Sequence, residues 1–310
     1  MILTVTANPA VDKGFHIARI VKNEKLRARA VRRDPGGGGI NVSRVVKRLG
    51  GETAAYALAG GTTGKLLERL LTREKIRFHL TEVEDETRIN FTVTEDSTGH
   101  QLRFLLPGPK VKQKEYEQFI NEVAGACPAP NLCVLSGSLP PGITDDFYFR
   151  LIHRFNKTKV KCLLDASGRA LRKGLKAAPF MVKPNLRELS QFAEAKLNSK
   201  QSIRKAALRM LSYGIEAVVI SLGREGGMLV TQKEALYAVP PKVKPVSVVG
   251  AGDSMVAGMA LKIAQGGSSS EILRSGVAAG TAAVLSVGTE LCRREDFKRI
   301  LPKVRVESLQ

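Results

Sequence analysis

NVSRVVKRLGGETAAYALAGGTTGKLLERLLTREK, residues 41–75, holds the alternation on which the fold turns. Val42, Val45, Val46 and Leu49 recur at i, i+3, i+4 and i+7, which is one face of a helix. AAYALAG (54–60) follows as a short apolar run and reads as a strand, and TGKLLERLLTREK (63–75) returns to helical spacing. The same alternation continues along the chain. ILTVTA (2–7), NLCVLSGS (131–138), VKCLLDAS (160–167), FMVKPN (180–185) and AVVISLG (217–223) read as further strands with helical segments around them. These runs are continuous rather than alternating, the pattern of parallel strands covered on both faces. The expected fold class is α/β, a doubly wound and mostly parallel sheet flanked by helices.

Two stretches break this rhythm. Residues 13–34 and 88–106 alternate polar and apolar with no helix between them, and Asp96–Gly99 supplies a hairpin turn in the second. Strands without covering helices predict a small β-sheet lid, which would exclude water from a site. The expected division is a core of 1–12, 35–87 and 107–310, with the lid at 13–34 and 88–106.

Composition narrows the class. The chain has 310 residues, 43% hydrophobic and 25% charged, an ordinary globular profile. No stretch approaches the ~18 apolar residues that span a bilayer. MILTVTANPAVDK lacks the basic and apolar regions of a signal peptide and reads as a first strand. Cys127, Cys133, Cys162 and Cys292 form no CxxC pair and lie among apolar residues, as buried reduced thiols do. A cytoplasmic location is expected, without a membrane. The net charge of +20, from 49 Lys and Arg against 29 Asp and Glu, favours an anionic substrate or partner. A basic nucleic-acid-binding protein without catalysis is the reading from a different class. Against specific nucleic-acid binding stand the absence of Trp, 5% aromatics and no nucleic-acid-binding motif.

RRDPGGGGINVSR (32–44) places four glycines before a helix, but neither phosphate-binding pattern fits. GxGxxG fails at Asn41, and the P-loop spacing finds no lysine followed by Ser or Thr. AGGTTGKL (59–66) lacks the leading glycine and the hydroxyl after the lysine. VVGAGDSMVAGMALKIA (248–264) carries more. Gly250, Ala251 and Gly252 lead into a helix with Asp253 in its first turn. Bare N–H groups at a helix N-terminus attract an anion. A carboxylate there could take a proton from an attacking hydroxyl, as phosphoryl transfer requires. It could equally be a helix cap.

GGGGINVSR, SGSLPPG, VKPNLREL, SLGREGG and VGAGDSM occur in the order found in the phosphofructokinase B family of ribokinase-like sugar kinases, and the chain resembles that family from its first strand to its last helices. The resemblance implies an ATP-dependent kinase with an α/β core and a β-lid. It implies Asp253 as catalytic base, with Gly250, Ala251 and Gly252 as the anion hole for the moving phosphoryl group. It assigns Asp12, Gly37, Gly38 and Asn41 to the sugar. Lys183, Asn185, Ser221, Gly223 and Gly226 are assigned to the nucleotide. It gives Glu188 to Mg²⁺ through water and also assigns Asp165 to the metal. K⁺ is implied as a further cofactor.

Lys25, Arg27, Arg88, Arg103 and Ser138 match the members that act on sugar phosphates, whose cationic side chains hold the substrate phosphate. The implied substrate is a phosphorylated ketohexose. Gly38 stands where members acting on fructose 1-phosphate or tagatose 6-phosphate usually carry lysine, so the resemblance favours fructose 6-phosphate as substrate and fructose 1,6-bisphosphate as product. The other two sugar phosphates stay open as alternatives. A homodimer joined through the lid is also implied, with Lys25 reaching the neighbouring subunit's site.

Overall fold

The computed structural model describes residues 1–126 and 129–309. Its strands are β1 (Ile2–Thr6), β2 (Ala10–Ile17), β3 (Arg29–Gly36), β4 (Thr53–Ala59), β5 (Arg77–Glu82), β6 (Arg88–Glu95) and β7 (Gln101–Phe104). They continue with β8 (Leu132–Ser136), β9 (Lys161–Asp165), β10 (Met181–Val182), β11 (Ala217–Ser221), β12 (Gly227–Val230), β13 (Ala235–Val239) and β14 (Arg305–Ser308). The helices are α1 (Gly38–Arg48), α2 (Gly61–Arg73), α3 (Gln113–Ala124), α4 (Phe147–Lys157) and α5 (Gly168–Leu175). Next come α6 (Leu186–Ala193), α7 (Lys200–Leu211), α8 (Ala251–Ala264), α9 (Ser269–Ala283) and α10 (Arg294–Ile300).

The main sheet has the order β14-β13-β12-β11-β10-β9-β8-β1-β4-β5. The seven strands from β11 to β5 are parallel, whereas β12, β13 and β14 run antiparallel at one edge. Both faces of the parallel part are apolar, which explains the continuous runs in sequence. In β1, Leu3 and Val5 face one cluster with Tyr116, Phe119, Phe147 and Leu151 from α3 and α4. Ile2 faces the opposite cluster with Val42, Val45 and Val46 of α1 and Met255, Val256 and Met259 of α8. The doubly wound α/β architecture is therefore as the sequence predicts.

Three features differ from the sequence reading. The strand predicted at 180–185 is only two residues long, because Pro184 has no N–H to donate to a ladder. Its carbonyl instead receives the N–H of Ser221. The antiparallel edge is also new, since its strands are four or five residues long and give too little periodicity to read. The second sheet, of order β3-β2-β6-β7, begins at Ala10 and ends its first hairpin at Gly36. Boundaries at 12/13 and 34/35 thus cut through β2 and β3, where the alternation is masked by small and buried residues.

Cys133, Cys162 and Cys292 are buried free thiols, and burial pushes the Cys292 thiol up to about 12. Cys127 lies outside the described residues. Among the described residues no helix is long and apolar enough to cross a bilayer.

Candidate active site

The candidate residues gather at the carboxyl ends of the parallel strands, where open α/β sheets place ligands. Asn8 follows β1, Ser138 follows β8, Asp165 ends β9, Lys183 follows β10 and Ser221 ends β11. α8 brings Asp253 to the same edge. Gly250 precedes that helix with φ 72°, and a Cβ there would strike Leu291, so glycine is required. The first intrahelical bond runs from Ser254 N to Gly250 O, which leaves the N–H groups of Gly252 and Asp253 ahead of it. Val248 O receives the N–H of Ala251 at 3.4 Å.

Asp253 is read as a helix cap or as a base from sequence. The N-cap is Gly250, and Asp253 Oδ2 accepts from Asn41 Nδ2 at 2.8 Å. Burial raises its pKa to about 6, helped by the nearby Asp165 carboxylate and opposed by the Asn41 hydrogen bond and the Lys183 ammonium. A carboxyl poised near neutrality beside a helix N-terminus can accept a proton while an anion is held next to it.

Asn41 lies on α1, and the four glycines form the junction that leads into it. Gly36 ends β3, Gly37 precedes α1 with φ 115°, and Gly38 opens the helix. A Cβ on Gly38 would meet Ser136 Oγ and come within 3.0–3.1 Å of the Ser136–Gly137 backbone. The glycine lets α1 start against the turn after β8, which carries Ser138.

Asp12, Asn90, Arg88 and Arg103 share one face of the lid. Asp12 stands opposite Asn90, and Arg103 stands opposite Thr92, two residues along from Asn90. Asn90 Nδ2 donates to Asp12 Oδ1 at 2.9 Å, and burial raises the Asp12 pKa. Arg88 is more occupied than a free phosphate clamp: it donates to Asn8 O and Leu106 O at 2.9 Å and to Pro9 O at 3.4 Å. Lys25 and Arg27 are exposed on the 18–28 loop.

On the other side of the site, Asn185 and Ser221 pair in an isolated bridge. Gly223 and Gly226, at φ 60° and 96°, form the turn that follows. Asn185 and Glu188 lie three residues apart at the start of α6. They form a reciprocal capping box at the start of α6, each side chain accepting the other's N–H. Lys183 Nζ pairs with Asp165 Oδ1 at 2.9 Å, nearly buried, and Ser136 Oγ donates to Asp165 Oδ2 at 3.3 Å. Both carboxylate oxygens of Asp165 are thus engaged, which argues against the metal role given to it. Lys183 serves as its counterion. Among the described residues no group of three or more His, Cys, Asp or Glu could hold a metal by itself. A Mg²⁺ held mainly by phosphates and water needs only one or two carboxylates, and Glu188 fits that donor set.

Two residues escaped the sequence reading. Asn8 Nδ2 bonds Pro107 O at 3.0 Å and Ser138 Oγ at 3.2 Å, joining the chain that leaves the lid to the turn after β8. Arg44 is fully buried and bonds Asn41 Oδ1. Asn8 adjoins Asp12 in ANPAVD and was within reach of a motif; Arg44 was one basic residue among 49.

The sequence family described as pfkB family carbohydrate kinase matches residues 6–296. The chain belongs to the pfkB family. Within this family of kinases it is 40% identical over 305 residues to the ATP-dependent 6-phosphofructokinase isozyme 2 of Escherichia coli, covering 96% of this chain and 97% of that one. The Mycobacterium tuberculosis isozyme 2 is 39% identical, covering 96% and 88%. The 1-phosphofructokinase of Bacillus subtilis is 32% identical across 100% of both chains. The crystal structure of the E. coli enzyme with fructose 6-phosphate superposes on this kinase with a TM-score of 0.92 at 38% identity, covering 97% of this chain and 98% of that one. The same E. coli protein has also been solved with potassium and as a tetrameric inhibited form.

Proposed function

We propose that the protein is an ATP-dependent 6-phosphofructokinase, transferring the γ-phosphoryl group of ATP to the 1-hydroxyl of fructose 6-phosphate. The observation that carries this reading is the Asp253 carboxyl in the first turn of α8, held by Asn41 and tuned to about 6. The greater identity to 6-phosphofructokinases than to 1-phosphofructokinases supports the acceptor.

In this reading Asp253 takes the proton of the 1-hydroxyl as that oxygen bonds to the γ-phosphorus and the bond to the ADP oxygen breaks. The N–H groups of Gly252 and Asp253, with the positive end of α8, stabilise charge on the moving group. Gly250 and Ala251 shape that turn. Asp12, Gly37, Gly38 and Asn41 orient the sugar, while Lys25, Arg27, Arg88, Arg103 and Ser138 attend its 6-phosphate. Asn185, Ser221, Gly223 and Gly226 cradle the nucleotide. Lys183 keeps Asp165 neutralised beneath it. Mg²⁺, when bound, neutralises charge on the nucleotide phosphates, and Glu188 would hold it through water. A K⁺ role rests on Ser286, whose buried Oγ has no hydrogen-bond partner among the described residues, in the turn after α9 that ties to Val246 and Ser247. The enzyme works in the cytoplasm as a homodimer joined through the lid.

Asp253→Asn tests the assignment. General-base catalysis contributes roughly 10²–10⁴-fold, so kcat falls by at least that range while fructose 6-phosphate still binds in calorimetry. Turnover within tenfold of wild type would overturn it.

A further inference from the structure

We propose that Arg44 is a positioning residue for Asp253, acting through the Asn41 amide and tying the base to lid strand β3. The proposal rests on Asp253 being the base. The Arg44 side chain is fully buried, and its donors divide between two jobs. One edge is neutralised by Glu74, at the end of α2: Nε lies 3.0 and 2.9 Å from its two oxygens, and Nη2 lies 2.6 Å from Oε1. The Nη1 edge turns inward, donating to Pro35 O at 3.0 Å and to Asn41 Oδ1 at 3.3 Å. Nη2 also reaches Asp34 Oδ1 at 3.4 Å.

An asparagine amide has an accepting end and a donating end, and its neighbours decide which way it faces. Arg44 can only donate, so it takes Oδ1. The carboxylate of Asp253 can only accept, so it takes Nδ2, at 2.8 Å. The flipped amide would set two acceptors together on one side and two donors on the other. Arg44 therefore locks the one orientation in which Asn41 grips Asp253 Oδ2 and leaves Oδ1 for a substrate hydroxyl.

Asp34 and Pro35 belong to β3, and Asp34 stands opposite Asp12 in the lid sheet. Arg32, also on β3, bonds the second oxygen of Asp34 at 2.7 Å. Arg48 on α1 lies 3.6 Å from Glu74 Oε2. A displacement of β3 is thus felt at Arg44, then at Asn41, then at the base. Asp165, Lys183 and Asp12 complete the charged groups around Asp253. The lid would then set the base as well as cover the sugar.

A double-mutant cycle on kcat, with the full-length enzyme saturated in both substrates, separates this chain of action from a packing role. Residues acting as one unit give non-additive effects. Arg44→Lys keeps the charge but loses the second donor arm, and kcat falls roughly 10- to 100-fold with the KM for ATP within about twofold. In an Asn41→Ala background the same change lowers kcat less than about twofold. Effects that multiply across the cycle would overturn the proposal. If Arg44→Lys does not fold by circular dichroism, Glu74→Gln loosens the same grip; its loss in kcat must likewise vanish with Asn41→Ala, and persistence is the contrary result. Failure of the base assignment would show separately, as turnover surviving in Asp253→Asn.

Discussion

Asp253 loses its proton with difficulty because burial and Asp165 outweigh Asn41 and Lys183. A base must be deprotonated to act, so kcat rises with pH through about 6 and levels above it; a profile flat from pH 5 to 8 would deny Asp253 that role. The same shift affects stability with a definite sign. The folded value, about 6, lies above the reference 3.8, so the folded state holds the proton more tightly than the unfolded chain. Stability from the neutral form is complete below about 3.8 and is lost as pH rises toward about 6. Asp253→Asn, neutral at every pH, should therefore raise Tm by a few degrees at pH 8 and by much less at pH 4, readable by calorimetry. In sequence Asp253 read as a base or a helix cap on its local pattern, and only the family resemblance favoured the base. Its hydrogen bond to Asn41 was not legible: Asn41 is 212 positions away, and only the packing of α1 on α8 brings the two together. Asp165 was legible as a carboxylate at a strand end, but its pairing with Lys183 was not.

At the scale of elements, the junction from β3 through four glycines into α1 joins the lid to the proposed sugar site and base. Gly38 is the glycine that abuts the turn after β8. Gly38→Ala forces its methyl into Ser136 Oγ and the neighbouring backbone, and overpacking of this kind costs about 1–3 kcal/mol. Lower Tm and a raised KM for the sugar phosphate are expected, with the KM for ATP unchanged; unaltered stability would show that the turn after β8 yields freely. A lysine at this position would need the same turn to move, so the glycine marks a local difference in backbone and not merely a missing charge. Helices and buried parallel strands were legible because their periods are simple. Lid limits and the antiparallel edge were not, since both depend on pairing between segments distant in sequence.

At the scale of the whole molecule, one face of the lid has no cover among the described residues. Leu102 and Phe104 alternate onto the side of β7 opposite Arg103, and Leu105 and Leu106 continue beyond it, all four exposed. Such an apolar patch favours association, and a second lid is the proposed cover. Phe104→Asp should convert the proposed dimer to a monomer in analytical ultracentrifugation; an unchanged sedimentation coefficient would place the interface elsewhere. The net charge of +20 favoured an anionic substrate or partner only in broad terms, because total charge does not say which cations would meet it. The most direct measurement is a coupled ADP-release assay comparing kcat/KM for fructose 6-phosphate, tagatose 6-phosphate and fructose 1-phosphate at saturating ATP. The highest value with fructose 6-phosphate is predicted, and a higher value with either of the others would contradict the proposed function.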